Sequence, residues 1–283
     1  MKMLLALVKR NCISFFRDRT NVAFSLMAAL IVVMLYLFVL RDMMISDYQG
    51  LPGVDNLIDA WVLAGIMGIV SITSCMGALQ TMNTDLVEGR DTDFRVTPVG
   101  GWRMAFSYIL STFVASMVFT AIIFVISLLF LVAVGCPMSA FGVAATFLLT
   151  IPSALSGCII MYALTSFIKS PGGFASFFSI VSVAIGFLTG IYIPMGSMPD
   201  GMQMLGTLMP ATHMSSVFRQ LLAGDALNAS FAGADASSFR LDMGFDLKLG
   251  DFVFDIPSSL LYVTAVSALF LLVSLILIKR RKL

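Results

Sequence analysis

The chain has 283 residues, 59% of them hydrophobic and only 12% charged, with a mean hydropathy of +0.99 and a formal net charge of +1. A soluble domain carries about 25% charged residues, so this composition excludes an ordinary soluble protein, and a near-neutral charge gives no footing for a nucleic-acid partner. Lipid leaves no backbone polar group unsatisfied, which makes the chain an expected all-α integral membrane protein.

The first 19 residues form their own element. Leu4, Leu5, Val8, Cys12, Phe15 and Phe16 fall on one side of a helical wheel, and Lys2, Lys9, Arg10 and Arg17 on the other. Such a helix lies among lipid headgroups before the chain turns into the bilayer, so residues 1–20 read as an interfacial amphipathic helix. Six apolar stretches follow, near 22–40, 57–80, 104–135, 140–168, 172–194 and 257–278. Each is long enough to cross about 30 Å of hydrocarbon. The third exceeds that need and should tilt or protrude. Lys169-Ser170-Pro171-Gly172-Gly173 separates the fourth from the fifth, because Pro and Gly break the helix there.

Six spans put both termini on one side. Thirteen Lys and Arg fall on that side, in the two tails, the 81–103 loop and Lys169; four fall opposite, Arg41, Arg219, Arg240 and Lys248. Basic residues accumulate on the cytoplasmic side, so the termini are expected inside a multi-pass protein of the inner (plasma) membrane. The segment 195–256 then faces outward. It holds seven aspartates and three basic residues. Its first part, 195–214, reads as a short helical hairpin broken by Pro199 and Pro210. Its second is Gly-, Ala-, Ser- and Asp-rich with a strand-like end. The whole chain, 1–283, reads as a single transmembrane domain.

Residues 81–103 interleave charges of both signs between two long apolar stretches. Asp85, Glu88, Asp91 and Asp93 interleave with Arg90, Arg95 and Arg103, and Leu86, Val87 and Phe94 share a helical side. Thr97-Pro98 stops the helix, and Gly100-Gly101 turns the chain into the third span. This segment fits either a helix that docks on a soluble partner or a solvated connector. Two small-residue seams, Ala60/Ala64/Gly68 and Ser182/Gly186/Gly190, permit close helix approach, within one subunit or between two.

Catalytic patterns are missing. There is no H-E-x-x-H, no G-x-S-x-G and no paired carboxylate within a span. Ser153, Ser156 and Asn83 leave room for a membrane-embedded enzyme without a recognisable motif, but no nucleophile–base pair is visible. His213, the only histidine, has no evident partner and reads as an interfacial polar residue after a proline turn. Cys12, Cys75, Cys136 and Cys158 lack metal-ligand spacing and read as small apolar fillers. Met195, Met198, Met202, Met204, Met209 and Met214 suit either a thioether copper site or deformable packing, and their ordinary helical spacing supports packing. Asn228-Ala229-Ser230 is a glycosylation triplet of the kind common by chance. No Walker sequence occurs, so any ATP chemistry belongs to another chain. A passive channel or scaffold is the remaining alternative.

Glu88-Gly89 followed by Val96-Thr97-Pro98-Val99, with a glycine nine residues before the proline, resembles the cytoplasmic loop of type-2 ATP-binding-cassette exporter permeases. Gly190-Ile191-Tyr192-Ile193-Pro194, then Met198-Pro199 and Leu208-Met209-Pro210, resembles the family's G-x-x-x-P run and its proline-punctuated outer hairpin. That family often has Thr after the loop glycine and Glu further on; this chain has Arg90 and Thr92. The resemblance implies a permease subunit of an ATP-driven exporter with a hydrophobic or amphipathic cargo. It pairs with a second permease, identical or not, and with separate ATPase subunits that hold ATP and Mg, so no cofactor is expected here. The coupling residues it implies are Leu86, Val87, Glu88, Gly89, Arg90, Asp91, Phe94 and Pro98, and Ser182, Gly186 and Gly190 are the expected subunit interface.

Overall fold

The computed structural model describes residues 2–48, 50–90 and 100–280. Helix α1 (Lys2–Arg17) leads into α2 (Arg19–Leu35), a π-helical turn (Tyr36–Leu40) and α3 (Arg41–Asp47). The longest helix, α4 (Val54–Val87), is followed by α5 (Gly101–Ala133), α6 (Ala140–Thr165) and α7 (Pro171–Leu188). Short helices α8 (Asp200–Thr207), α9 (Pro210–Leu222), α10 (Gly224–Phe231) and α11 (Ser237–Asp242) precede an antiparallel hairpin, β1 (Leu247–Leu249) with β2 (Phe252–Phe254). Helix α12 (Ile256–Arg280) ends the fold.

Among the described residues, five helices are long and apolar enough to cross a membrane: α4, α5, α6, α7 and α12. The stretch expected as a first span is helical from 19 to 47, but the π turn divides it, so neither part reaches the length of the others. The π turn has a local reason. Tyr36 and Arg41, five residues apart, would lie about 140° apart on a regular α-helix. The wider turn lets both reach Asp59 of α4, with Tyr36 Oη at 2.6 Å and Arg41 Nε at 2.8 Å.

Helix α4 is the axis of the bundle. Its most apolar window is wholly buried, which is why it is hydrophobic all round rather than amphipathic. It packs against α2, α5, α6, α7 and α9. Hydroxyls join the helices: Ser74 to Ser116 at 3.1 Å, Ser153 to Ser71 at 2.9 Å and Ser267 to Ser156 at 2.8 Å. Each such bond contributes about 0.6 kcal/mol between membrane helices. Helices α7 and α12 bury few of their residues, with apolar side chains such as Ile180, Leu269 and Leu272 outermost.

The segment between α7 and α12 departs from the expected outer loop in one respect. The first hairpin does not end at 214. Pro210 starts α9, where its missing N–H costs nothing, and the helix runs to Leu222 with Ala211 to Arg219 all buried. The strand-like end is present as β1–β2, turning at Gly250 with φ +61°. Met195, Met198 and Met202 pack with Leu247 and Phe254 as an apolar cluster. Asp255 and Ser258 then cap α12 reciprocally, the Ser258 N–H donating to Asp255 at 2.9 Å and the Asp255 N–H to Ser258 at 2.8 Å. The Ser258 hydroxyl and N–H, both donating to the Asp255 carboxyl, hold it below its usual pKa.

Candidate functional site

The charged residues of α4 stand at its two ends. No acidic or basic residue lies between Asp59 and Asp85 on this helix, a separation of about 39 Å at 1.5 Å per residue. That exceeds the hydrocarbon thickness of about 30 Å, so a helix crossing the bilayer along this stretch has length enough to keep both carboxylates out of the hydrocarbon, where charge is costly.

Asp85 is 1% exposed. It accepts hydrogen bonds from both terminal nitrogens of Arg10, one at 2.8 Å, and from the Tyr108 hydroxyl at 2.7 Å. Arg90 adds a longer contact at 3.6 Å. Arg10 lies on α1 and Tyr108 on α5, so one carboxylate binds α1 to both stems of the 81–103 loop. The pairing with Asp85 raises the Arg10 pKa above its ordinary value. Arg10 therefore does not stand with Lys9 on a solvated side, as the helical wheel suggested. It turns inward because a buried carboxylate needs a cation. Asn11, donating to Ser107 at 3.4 Å, and Phe15, edge-on to Phe119 at 5.8 Å, seat the rest of α1 on α5. Leu5 and Phe16 stay exposed.

Beyond Asp85 the chain leaves α4 in a defined way. The Glu88 N–H bonds Thr84 O at 2.9 Å, and Gly89 takes φ +73°. A glycine just past a helix end adopts that conformation without the Cβ clash other residues meet. This is the physical role of the loop glycine noted in the sequence. Glu88 pairs with Arg90. Leu86, half-buried, packs on the chain's own core, while Val87 is exposed. Asp91, Phe94 and Pro98 lie outside the described residues.

The opposite end of α4 repeats the pattern. Asp59 is fully buried and takes Arg41 as a two-point partner, at 2.8 and 2.9 Å, with the Tyr36 hydroxyl at 2.6 Å. A third polar centre was not legible beforehand. Arg219 of α9 is wholly buried without a carboxylate partner among the described residues. Its guanidinium lies 4.4 Å over the Trp61 ring and donates to the Gly190, Met243 and Gly244 carbonyls, leaving Nε unpaired. Its place in the 195–256 segment puts it among the outward-facing charges of the sequence. Nothing in its local sequence signals burial, because its partners are main-chain oxygens far along the chain.

The two seams have different fates. Ala60, Ala64 and Gly68 are buried inside this chain, Gly68 against Ser215 of α9. Ser182, Gly186 and Gly190 do not form one helical stripe, since α7 ends at Leu188 and Gly190 caps it with φ +72°. Tyr192 of the same chain covers Gly186, its Cζ 2.9 Å from where a Cβ would stand. Ser182 is half-buried. Cys75 and Cys158 meet between α4 and α6 as free thiols. His213 is buried, its ring nitrogens bonded to Ser259 at 3.2 Å and Thr207 O at 2.8 Å. No group of metal-ligating side chains occurs among the described residues. Ser153 and Ser156 bond other serines, and Asn83 reaches Ile168 O at 3.5 Å.

The described residues form a bundle of long apolar helices whose buried polar groups join one helix to another. Residues 3–223 match the family model described as ABC-2 type transporter, and the chain belongs to that family. Membrane domains of this family are the permeases of ABC transporters and normally work with ATPase subunits. No curated protein matches the chain.

Proposed function

We propose that this chain is the transmembrane subunit of an ATP-driven exporter in which the helical run 19–47 serves as the first of six spans. Both termini and the 81–103 loop face the cytoplasm of a cell bounded by the inner (plasma) membrane. Helix α1 lies at the interface, and 195–256 faces outward. The ATP and Mg belong to separate ATPase subunits. The single observation that carries this reading is the Asp85 junction. A load on the loop reaches α4, α5 and α1 together, because one buried carboxylate is bonded to all three. Residues 84–97 are the natural seat for the ATPase, with Val87 and Phe94 as apolar anchors and Glu88, Arg90 and Asp91 at the rim. A second permease, identical or different, would meet the exposed side of α7 at Ile180 and Val183, since Gly186 and Gly190 are covered by their own chain.

A buried apolar anchor dominates an interface, while rim charges add less. Phe94→Asp is therefore expected to abolish ATPase copurification and transport at equal expression, and Asp91→Ala to reduce them only modestly. Wild-type copurification and transport with Phe94→Asp would make the segment a connector and remove the coupling role. Orientation has its own measurement. A membrane-impermeant thiol reagent applied to intact cells should label a cysteine placed at Asp235 and not one placed at Thr92. The reverse pattern would invert the topology and take the ATPase seat away from the cytoplasm.

A further inference from the structure

Arg10 and Arg41 reach buried carboxylates of α4, whereas Arg219 reaches none among the described residues. Its surroundings are nevertheless shaped for a cation. Gly190 and Gly244 take φ +72° and +66°, a region that glycine enters without a Cβ clash, and their carbonyls accept from the guanidinium at 3.2 and 3.4 Å. A Cβ at Gly244 would stand 2.9 Å from Arg219 Nη1, and one at Gly65 of α4 would stand 2.9 Å from Nη2. Met243 O is shared, because the Trp61 indole N–H also donates to it, at 2.6 Å.

For a buried charge the grip is weak. The three bonds to main-chain carbonyls are 3.2–3.4 Å long, at or beyond the usual upper limit of about 3.2 Å, and Nε has no partner. So few acceptors in place of water leave the cation under-solvated. An apolar side chain would join the same segments without that penalty. An ionisable residue sealed inside a membrane protein therefore points to function rather than to stability.

What Arg219 pins is α7. That helix buries only Phe174, Ile185 and Gly186, and the hydroxyls of Ser179 and Thr189 bond carbonyls of their own helix. Its C-terminal end is held at two carbonyls, Leu188 O by the Thr212 hydroxyl at 3.3 Å and Gly190 O by Arg219. Helix α9, by contrast, is seated on α4 through Ser215, and it keeps the 243–245 turn through Gln220, which donates to Phe245 O at 2.7 Å. Resting on the exporter reading, in which this end faces outward, we infer that Arg219 is a latch. It holds the end of α7 on α4 and α9 while the path is shut, and its release into water lets α7 swing away. Two packed arrangements of one element, biased by a single contact, are what such a switch requires.

Amide hydrogen exchange on the purified full-length chain tests this, read at residues 188–192 and, for comparison, across α9. Arg219→Met should speed exchange at 188–192 about tenfold, the factor for one hydrogen bond to a charged group. Helix α9 should stay slow and the melting temperature unchanged. A plain structural brace behaves differently: Arg219→Met would then lower the melting temperature and expose α9 together with α7. That result, or exchange at 188–192 as slow as in the wild type, would overturn the latch. Met195→Glu tests the converse and stands in if Arg219→Met does not fold. Met195 Cγ and Arg219 Nη1 each lie 2.9 Å from the Cβ position of Gly244, so a carboxylate there would give the cation a lasting partner. Exchange at 188–192 should slow; a rate at or above the wild type would count equally against the latch. In a copurified complex with the ATPase, ATP and Mg should speed exchange at 188–192 in the wild type and not in Met195→Glu. No effect of ATP would remove the role in opening. The exporter reading is judged separately, by copurification itself: a chain that binds no ATPase loses that reading, while exchange in the isolated chain still decides whether Arg219 pins α7.

Discussion

Replacing Arg41 by Met is expected to destabilise the protein by about 3–5 kcal/mol, the effect of stranding one member of a buried ion pair. Asp59 is fully buried, and without Arg41 only the Tyr36 hydroxyl faces it. The cost comes from the orphaned carboxylate more than from the lost attraction. Adding Asp59→Leu to Arg41→Met should therefore recover most of the loss, because an apolar pair of similar volume needs no solvation. Tyr36→Phe, which removes a single hydrogen bond, should cost only about 1–2 kcal/mol. Thermal melting of the purified variants in one detergent ranks them. An Arg41→Met protein that melts with the wild type would mean that water reaches Asp59 and that this end of α4 is not clamped.

Gly68→Val is expected to cost about 3 kcal/mol, at the upper end for overpacking, because α9 has no room to retreat. A Cβ at Gly68 would stand 3.1 Å from the Ser215 backbone nitrogen and closer still to its hydroxyl. Ser215 itself donates to Gly65 O at 3.3 Å, so the two helices meet nearly backbone to backbone. Helix propensity alone argues the other way, since Ala exceeds Gly by about 1 kcal/mol in a helix interior. Gly68→Ala should nevertheless destabilise. Gly172→Ala, where nothing lies within 4 Å, should be neutral or stabilising. Melting temperatures that rank Gly68→Val with Gly172→Ala would show that α9 is loosely seated and that its buried polar side chains serve some other end.

The expected spans at 57–80, 104–135, 140–168 and 257–278 each match a long helix, and that at 172–194 does so as far as Leu188, where Gly190 turns the chain. Their signal is local: a long apolar run in lipid has one way to satisfy its own backbone. The break at Pro171 and the strand-like end near 250 were legible for the same reason, since glycine and proline act on their own φ; the turn at Gly89 was not, and it ends the helix on which Leu86 and Val87 were expected to share a side with Phe94. The first span was legible as an apolar run but not as a divided one. Its π turn answers Asp59, which lies on another helix.

By itself, then, the sequence determined the membrane class, the long helices and the punctuation between them, because these depend on transfer free energy and local dihedrals. The tertiary structure decided which polar residues are spent and which stay available. Arg10 and Arg41 read as plain basic residues until Asp85 and Asp59 arrive from α4. Arg219 looked like an outer-loop charge, yet it is sealed over Trp61. Gly68 could serve packing within one subunit or between two, and α9 of its own chain fills the space. Charge and size are written in the residue, but whether a charge is paired or a groove filled depends on contacts between positions far apart in sequence, and folding alone brings those together.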